Sequence, residues 1–320
     1  MNSPFDPAYL ELFFRGELKD RAFQANDRLG KCNLCAWECG ADRRTEKLGI
    51  CRTGVKARLS SYGPHMGEEN PLRGWHGSGT IFFSRCNLRC QYCQNHDISQ
   101  RDAGELVEPD ELAAVMLRLQ QYGCHNINFV SPSHVVAQIL EALLIAIPKG
   151  LRIPLVYNTG GYDSLATLQL LNGVVDIYMP DMKYADPQIA RQYSKIPHYP
   201  KSNQAAIREM YHQVGDLILD KCGVAQRGLL VRHLVLPNNL AGTDQIVKFL
   251  AREISPNTYL NLMDQYHPDF QVRRNPELFP ELNRPITHQE YRSAVQAAFD
   301  SGLHRLDGRR SISFLMNEAY

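Results

Sequence analysis

Six short runs rich in β-branched and aromatic residues recur between residues 79 and 263, at 80–84, 126–131, 153–158, 175–180, 229–236 and 258–263. Between them lie stretches with helical spacing, at 109–122, 134–147, 164–171, 205–220 and 243–253. Strands that alternate with helices in this way predict an α/β fold: a parallel sheet joined by right-handed crossovers. Asp110, and either Asp163 or Ser164, are expected as helix N-caps. A last helix is expected over 287–301, opened by the capping box Thr287-x2-Glu290. If such a sheet closes toward a barrel, its chemistry belongs at the C-terminal strand ends.

The first strand delivers the stretch Cys86-Asn87-Leu88-Arg89-Cys90-Gln91-Tyr92-Cys93. Three thiolates on a short loop suit three irons of a cubic iron–sulfur cluster, which ordinarily takes four cysteines. The remaining iron is then open to a small molecule. The competing reading is three buried cysteines on one helix face. Asn87, Arg89 and Gln91 between them, and Asn95, His96 and Asp97 after them, are too polar for it.

A second group, Cys32-x2-Cys35-x3-Cys39-x11-Cys51, offers a complete set of four thiolates. It suits structural zinc or a fully ligated iron–sulfur site. Gly40, Arg43, Arg44, Glu46, Lys47, Gly49 and Gly54 leave this stretch little apolar surface, so a metal would have to organise it. Free or redox-active cysteines are the other reading. Cys124 and Cys222 stand alone and are expected as small side chains rather than ligands.

The 320 residues carry a formal net charge of +1, which gives no strong field for nucleic acid or an acidic membrane. The longest apolar run, 142–147, is far too short to cross a bilayer. Residues 1–31 are charged throughout and lack the apolar core of a signal peptide. Nine cysteines without such a signal point to a reducing compartment, and a cytoplasmic location is expected.

The Cys-x3-Cys-x2-Cys spacing, with Tyr92 just before the last cysteine, resembles the radical S-adenosylmethionine (SAM) enzymes. The text Phe82-Phe83-Ser84-Arg85-Cys86-Asn87-Leu88-Arg89-Cys90 resembles the branch related to pyruvate formate-lyase activating enzyme, and within it activase-like proteins with an N-terminal cysteine cluster. The resemblance implies a partial (β/α)6 barrel of the radical SAM type behind a small cysteine-rich metal-binding segment. It implies a 4Fe-4S cluster on Cys86, Cys90 and Cys93, with SAM on the open iron. Reductive cleavage of SAM would then give methionine and a 5′-deoxyadenosyl radical that abstracts hydrogen. A second metal, zinc or iron–sulfur, would sit on Cys32, Cys35, Cys39 and Cys51.

The resemblance also places SAM contacts at the strand ends. Relatives often carry Gly-Gly-Glu after the second strand, where this chain has Ser131-Pro132-Ser133-His134. Ser131 and Ser133, or backbone carbonyls, would then accept from the SAM amino group. Asn158-Thr159-Gly160-Gly161 is similar to the Thr-Asn-Gly of activases, the glycines allowing close approach to a ligand. Asp181-Met182-Lys183 is similar to Asp-Leu-Lys, with Lys183 on the SAM carboxylate and Asp181 orienting it or the ribose. His233, in Arg232-His233-Leu234, would contact the ribose or carboxylate unless it is a core histidine. Tyr92 would line the cofactor. Arg85 stands where close relatives have glycine.

The implied function is activation of a glycyl-radical enzyme. The partners would be a protein or peptide substrate and an electron donor such as flavodoxin or ferredoxin, with no nucleic acid and no membrane. The alternatives are a radical SAM enzyme for another peptide or small molecule, and a non-catalytic iron–sulfur or redox protein. The expected organisation is a helical lead (1–31), the cysteine-rich segment (32–75), the barrel (76–302) and a polar, peripheral tail (303–320). Residues 55–78 are expected as a turn-rich connection in which His65 and Glu68 either line the site or sit in surface loop. The loop 264–268 is expected at the same barrel face, and 270–286 as irregular chain.

Overall fold

The computed structural model describes residues 5–45 and 48–308. In chain order the elements are α1 (Tyr9–Phe14), α2 (Glu17–Asp27), β1 (Ala57–His65), α3 (Asn70–Arg73), β2 (Ser78–Phe83), α4 (His96–Ser99), β3 (Glu105–Val107), α5 (Pro109–Gln121), β4 (Ile127–Val130), α6 (Val136–Ala146), β5 (Leu155–Thr159), α7 (Leu165–Leu171), β6 (Ile177–Pro180), α8 (Pro187–Ser194), α9 (Tyr199–Val214), β7 (Ile218–Leu219), β8 (Ala225–Leu234), α10 (Thr243–Phe249), β9 (Tyr259–Met263), α11 (Phe270–Arg274) and α12 (His288–Asp300).

The six expected strands are β2, β4, β5, β6, β8 and β9, all parallel and adjacent in chain order. Crossovers of one hand between sequential neighbours put every connecting helix on the same face, which gives an α/β barrel-like sheet rather than a doubly wound one. Strand alternation shows the two faces. Ile81, Phe129, Tyr157, Tyr178, Val231 and Leu260 pack outward in the main core with α5, α6 and α10. Val156, Ile177, Met179 and Leu230 point inward onto Leu72 of α3, which fills the lower interior.

Three strands lie outside that set. β1 pairs antiparallel with β2 and carries β3 on its other edge. The connection expected over 55–78 is therefore in part a sheet strand, tolerating Pro64 because its position is near the edge. β7 pairs antiparallel with β8.

Helix ends correct several expectations. The cap of α5 is Glu108, in a reciprocal box with Glu111, and Pro109 rather than Asp110 opens the helix. Ser164 occupies the N-cap position of α7, while the Asp163 carboxylate turns inward to Tyr157 Oη and Thr159 Oγ1. α9 starts six residues earlier than expected and stops before Gly215, freeing Ile218 and Leu219 for β7. α8, capped by Asp186, had no counterpart in the sequence reading. The Thr287–Glu290 box of α12 is present as expected.

The lead helices belong to the same core: Tyr9, Leu12, Leu18 and Leu29 are buried with the residues of α6 and α7. The expected peripheral tail is also partly structural. Leu260 donates to Arg305 O, and Leu303 is fully buried; residues 309–320 lie outside the described residues. Among the described residues, no helix is long and apolar enough to cross a membrane.

Candidate radical-generating site

The cysteine loop leaves the C-terminal end of β2 through Arg85, whose φ of 70° lies in the left-handed region. Glycine adopts that region freely and arginine at a cost, so the departure noted at Arg85 keeps the loop's path with a strained residue. The strain is held by Arg85 N donating to Ile98 O at 2.8 Å and by an ion pair to Asp102.

Cys90 is buried, and Cys86 and Cys93 are partly exposed. Leu88 N donates to Cys86 Sγ at 3.4 Å, Ser194 Oγ donates to Cys90 Sγ at 3.0 Å, and Cys93 Sγ lies 3.2 Å from Ser99 Oγ. Burial pushes the Cys90 thiol up to about 12, against the nearby Lys183 ammonium and the Ser194 bond. Burial likewise raises Cys86, opposed by Leu88 N and by the nearness of Lys183 and Ser131. Such thiols ionise readily only when a cationic centre replaces the proton. Three thiols on one loop, each with a donor or cation beside it, fit a cubic cluster with one open iron.

Facing the loop is a charged chain across three strand ends. Arg232 donates from Nη2 to Asn158 Oδ1 at 2.7 Å and from Nε to Asp181 Oδ1 at 2.9 Å, and Lys183 Nζ donates to Asp181 Oδ2 at 2.6 Å. Burial would raise the Asp181 carboxyl, but Arg232 and Lys183 outweigh it and hold it below the usual carboxylate range. Asn158, Asp181 and Lys183 are thus brought together as expected. Arg232, which joins them, was missed.

Below Arg232 lie Glu68 and Glu69, both buried and both facing its charge. Asn261 donates to Glu69 at 2.8 Å, and His65 Nδ1 is 3.4 Å from Glu68. Glu68 is thus buried beneath Arg232 rather than part of a surface loop, whereas His65 is partly exposed. Glu69, Asn261 and the fully buried Asn128 were also missed. The signal for the strand residues is a polar side chain at an inward position: Asn128 stands between Ile127 and Phe129 and Asn261 between Leu260 and Leu262, while Asn158 and Arg232 each follow an outward apolar residue, Tyr157 and Val231.

Other expected residues are placed differently. Ser131 sits at the cysteine loop with φ 57°, again a glycine-favouring geometry. Ser133 is fully buried against Thr159 Oγ1 at 3.0 Å. His134 donates from Nε2 to Ser84 O. His233 has no exposed surface: Nδ1 donates to Met182 O at 2.6 Å and Nε2 accepts from Thr243 Oγ1 at 2.9 Å, leaving no ring nitrogen for a ligand. It is the core histidine of the two readings. Tyr92 is buried beneath the loop, its hydroxyl 2.7 Å from Tyr184 Oη, which in turn meets Ser194. The glycines after β5 admit protein rather than ligand. A Cβ at Gly160 would lie 2.4 Å from Leu88 Cδ1, and one at Gly161 would lie 2.1 Å from Asn203 Nδ2.

The 264–268 loop packs on the cysteine loop as expected, with Gln94 Nε2 donating to Gln265 O at 3.1 Å. α11 interrupts the irregular chain expected over 270–286.

The N-terminal cysteines dock on the same loop. Ala36 N donates to Tyr162 O, Trp37 Nε1 donates to Asn87 O at 2.6 Å, and Arg89 Nη2 donates to Ile50 O at 2.5 Å. Cys35 lies near both Cys32 and Cys51, and burial pushes its thiol up. Cys32 lies near Cys39. Arg43, almost wholly buried, ties this segment down by donating to Thr53 O, Gly54 O and His134 O at 2.8 Å each. Among the described residues, no group of three or more His, Cys, Asp or Glu is arranged to hold a metal ion. That arrangement is what a structural zinc would require; thiolates of a cubic cluster each take a different iron and stand further apart.

The family model for the radical SAM superfamily matches residues 80–215. Uncharacterized protein MJ0674 of Methanocaldococcus jannaschii is 31% identical over 280 residues, covering 83% of this chain and 74% of that protein. Uncharacterized protein MJ0808 of the same organism is 26% identical over 199 residues, 58% of this chain and 52% of that one, so the chain spans about half of its length. Two solved structures overlap it at 14% identity. "Native anSMEcpe with bound AdoMet and Cp18Cys peptide" has a TM-score of 0.45, over 68% of this chain and 56% of that chain. "Native anSMEcpe with bound AdoMet" has a TM-score of 0.46, over 68% and 57%. The chain spans little more than half the length of either. The matched region opens inside β2 and runs through the cysteine loop and strands β4 to β6 to the end of α9, and on that match and the MJ0674 relationship the chain belongs to the radical SAM superfamily.

Proposed function

We propose that this protein is an activase: a radical SAM enzyme that abstracts hydrogen from a glycine of a partner glycyl-radical enzyme. Superfamily membership implies a 4Fe-4S cluster and SAM. Bound together and reduced, they supply a 5′-deoxyadenosyl radical. Cys86, Cys90 and Cys93 hold the cluster in this reading, and the N-terminal cysteines hold a second metal.

The carrying observation is the chain Asn158–Arg232–Asp181–Lys183 opposite the cysteine loop. In this reading its cations pair with the SAM carboxylate, and Asp181 fixes the Lys183 ammonium in place. Ser131, beside Cys86, offers a hydroxyl in the segment where relatives often carry Gly-Gly-Glu. Tyr92, Tyr184 and Ser194 form a buried hydroxyl chain that ends on Cys90, fixing the loop from below and keeping water from that side. Glu68, Glu69 and Asn261 give the interior polar groups for a peptide segment entering the barrel.

The activase assignment, with its electron donor of flavodoxin or ferredoxin type, rests on the residues around the cysteine loop. A partner enzyme deuterated at its glycine Cα tests it. Deuterium in 5′-deoxyadenosine supports the assignment, and deuterium arriving only from a labelled metabolite or another peptide removes it.

A further inference from the structure

Arg85, at the start of the cysteine loop, and the segment 43–58 border a hollow of about 510 Å³. Arg43, Arg44, Arg52, Lys56, Arg58 and Arg85 line it, and no described lining residue is acidic. Carboxylates just outside pair with some of these cations: Asp102 with Arg85, Glu108 with Lys56, and Asp27 with Arg44 at 3.9 Å. Arg43, Arg52 and Arg58 have no carboxylate partner among the described residues, and Arg43 and Arg58 donate to backbone carbonyls. The hollow is therefore positive even though the chain as a whole is close to neutral.

Its rim is apolar as well. Leu48, Val55 and Leu106 line it with 45%, 45% and 54% of their surface exposed. Ile50 is also exposed, and its carbonyl receives Arg89 of the cysteine loop. Exposed aliphatics beside Arg52 and Arg58, the two lining cations that are neither buried nor paired with a described carboxylate, make a surface suited to an acidic protein face with an apolar centre, not to water alone.

The position is specific. Arg85 directly precedes Cys86, Arg52 directly follows Cys51, and Arg89 lies between Cys86 and Cys90. Of these, Arg85 and Arg52 line the hollow, so it is bordered by a chain neighbour of each cysteine group. The strand-end face must take SAM and substrate, so a redox protein that comes and goes needs another approach. We propose that this basic, apolar-rimmed hollow is the docking surface for an acidic electron-donor protein. The inference rests on the radical SAM reading and assigns its reducing partner a place. The bound donor is oxidised by one electron, and the centre held by the cysteine loop gains it. Charge complementarity there speeds encounter and makes docking salt-sensitive.

The test uses the full chain reconstituted with iron and sulfide, and an acidic flavodoxin as the probe. Its affinity is measured between about 50 and 300 mM salt, for the parent and for Arg52→Glu/Arg58→Glu. Leu106→Ser serves as a second, uncharged variant. The charge reversal is expected to weaken binding roughly tenfold at low salt and to abolish most of the salt dependence. Leu106→Ser is expected to weaken it about threefold. With dithionite as reductant, 5′-deoxyadenosine formation by either variant should stay within about twofold of the parent.

Unchanged flavodoxin affinity in both variants overturns the proposal. So does flavodoxin affinity that holds while dithionite-driven turnover of a protein substrate falls, because the hollow would then serve the substrate. Inorganic phosphate bound by these arginines without competing with flavodoxin also overturns it. A parent that makes no 5′-deoxyadenosine with dithionite counts against the radical SAM reading, and the binding measurement still decides the docking surface.

Discussion

Arg232 Nε lies 2.9 Å from Asp181 Oδ1, joining the end of β8 to the end of β6 across the site. Asp181 accepts from Lys183 on its other oxygen. Each cation alone leaves the buried carboxylate half-satisfied. Arg232→Ala is expected to lower the unfolding free energy by about 3 kcal/mol, the scale for breaking a buried pair. It should also weaken SAM binding. Arg232→Lys keeps the charge but loses the second arm to Asn158 and should fall between. Urea unfolding and equilibrium dialysis with SAM check both effects.

Two buried histidines set a pH dependence. Burial lowers His134 to about 3, with Arg43 adding to it, and lowers His233 to about 4, each from the ordinary 6.5. Their folded values lie below their unfolded ones. The stability they contribute is therefore complete above about pH 6.5 and is lost as pH falls from there toward 4 and 3, at up to about 1.4 kcal/mol per pH unit for each. Urea melts at several pH values should show this slope, and His233→Gln should flatten its share.

Arg43 should govern whether the N-terminal cysteine segment stays docked. Its guanidinium satisfies carbonyls of Thr53, Gly54 and His134 inside the protein. Arg43→Ala strands those acceptors at roughly 1–3 kcal/mol each, less what water recovers. Limited proteolysis should then cut between residues 39 and 55 in the variant and spare the parent. Equal resistance would show that the segment is held by other means.

The capping box of α12 predicts a smaller effect. Glu290 accepts from Arg284 at 2.8 Å and from Thr287 N and Asn238 N at 2.7 Å, which holds its carboxyl far below the usual range. Thr287→Ala is expected to cost about 1 kcal/mol in chemical unfolding. Because the Glu290 value is depressed on folding, its contribution is present above about pH 4.3 and fades as pH falls below it.

The six parallel strands were legible because each is a compact β-prone run, and the cysteine loop because three cysteines within eight residues have few readings. β1 was hidden by Gly63, Pro64 and a polar sequence, which an edge position tolerates and a propensity argument discounts. The charged chain was legible only in part. Asn158, Asp181 and Lys183 lie at ends of strands, where function is expected. Arg232 also lies near the end of β8, but beside His233, and only the inward alternation of Leu230 and Arg232 could have chosen it over that neighbour. His233 shows the converse, since it shares the strand end but faces outward, where Met182 O and Thr243 consume both nitrogens. The docking of Cys35 and Trp37 onto Asn87 spans some fifty residues and leaves no periodic signal.

The central claim is that Cys86, Cys90 and Cys93 carry a cluster that cleaves SAM. Its most direct test is anaerobic: the protein is loaded with iron and sulfide, given dithionite and SAM, and assayed for 5′-deoxyadenosine beside a Cys86→Ala/Cys90→Ala/Cys93→Ala variant. The account predicts product from the parent and none from the variant, with the Cys32, Cys35, Cys39 and Cys51 set intact in both. Product that persists in the variant, or no product from a parent with a fully loaded cluster, would contradict it.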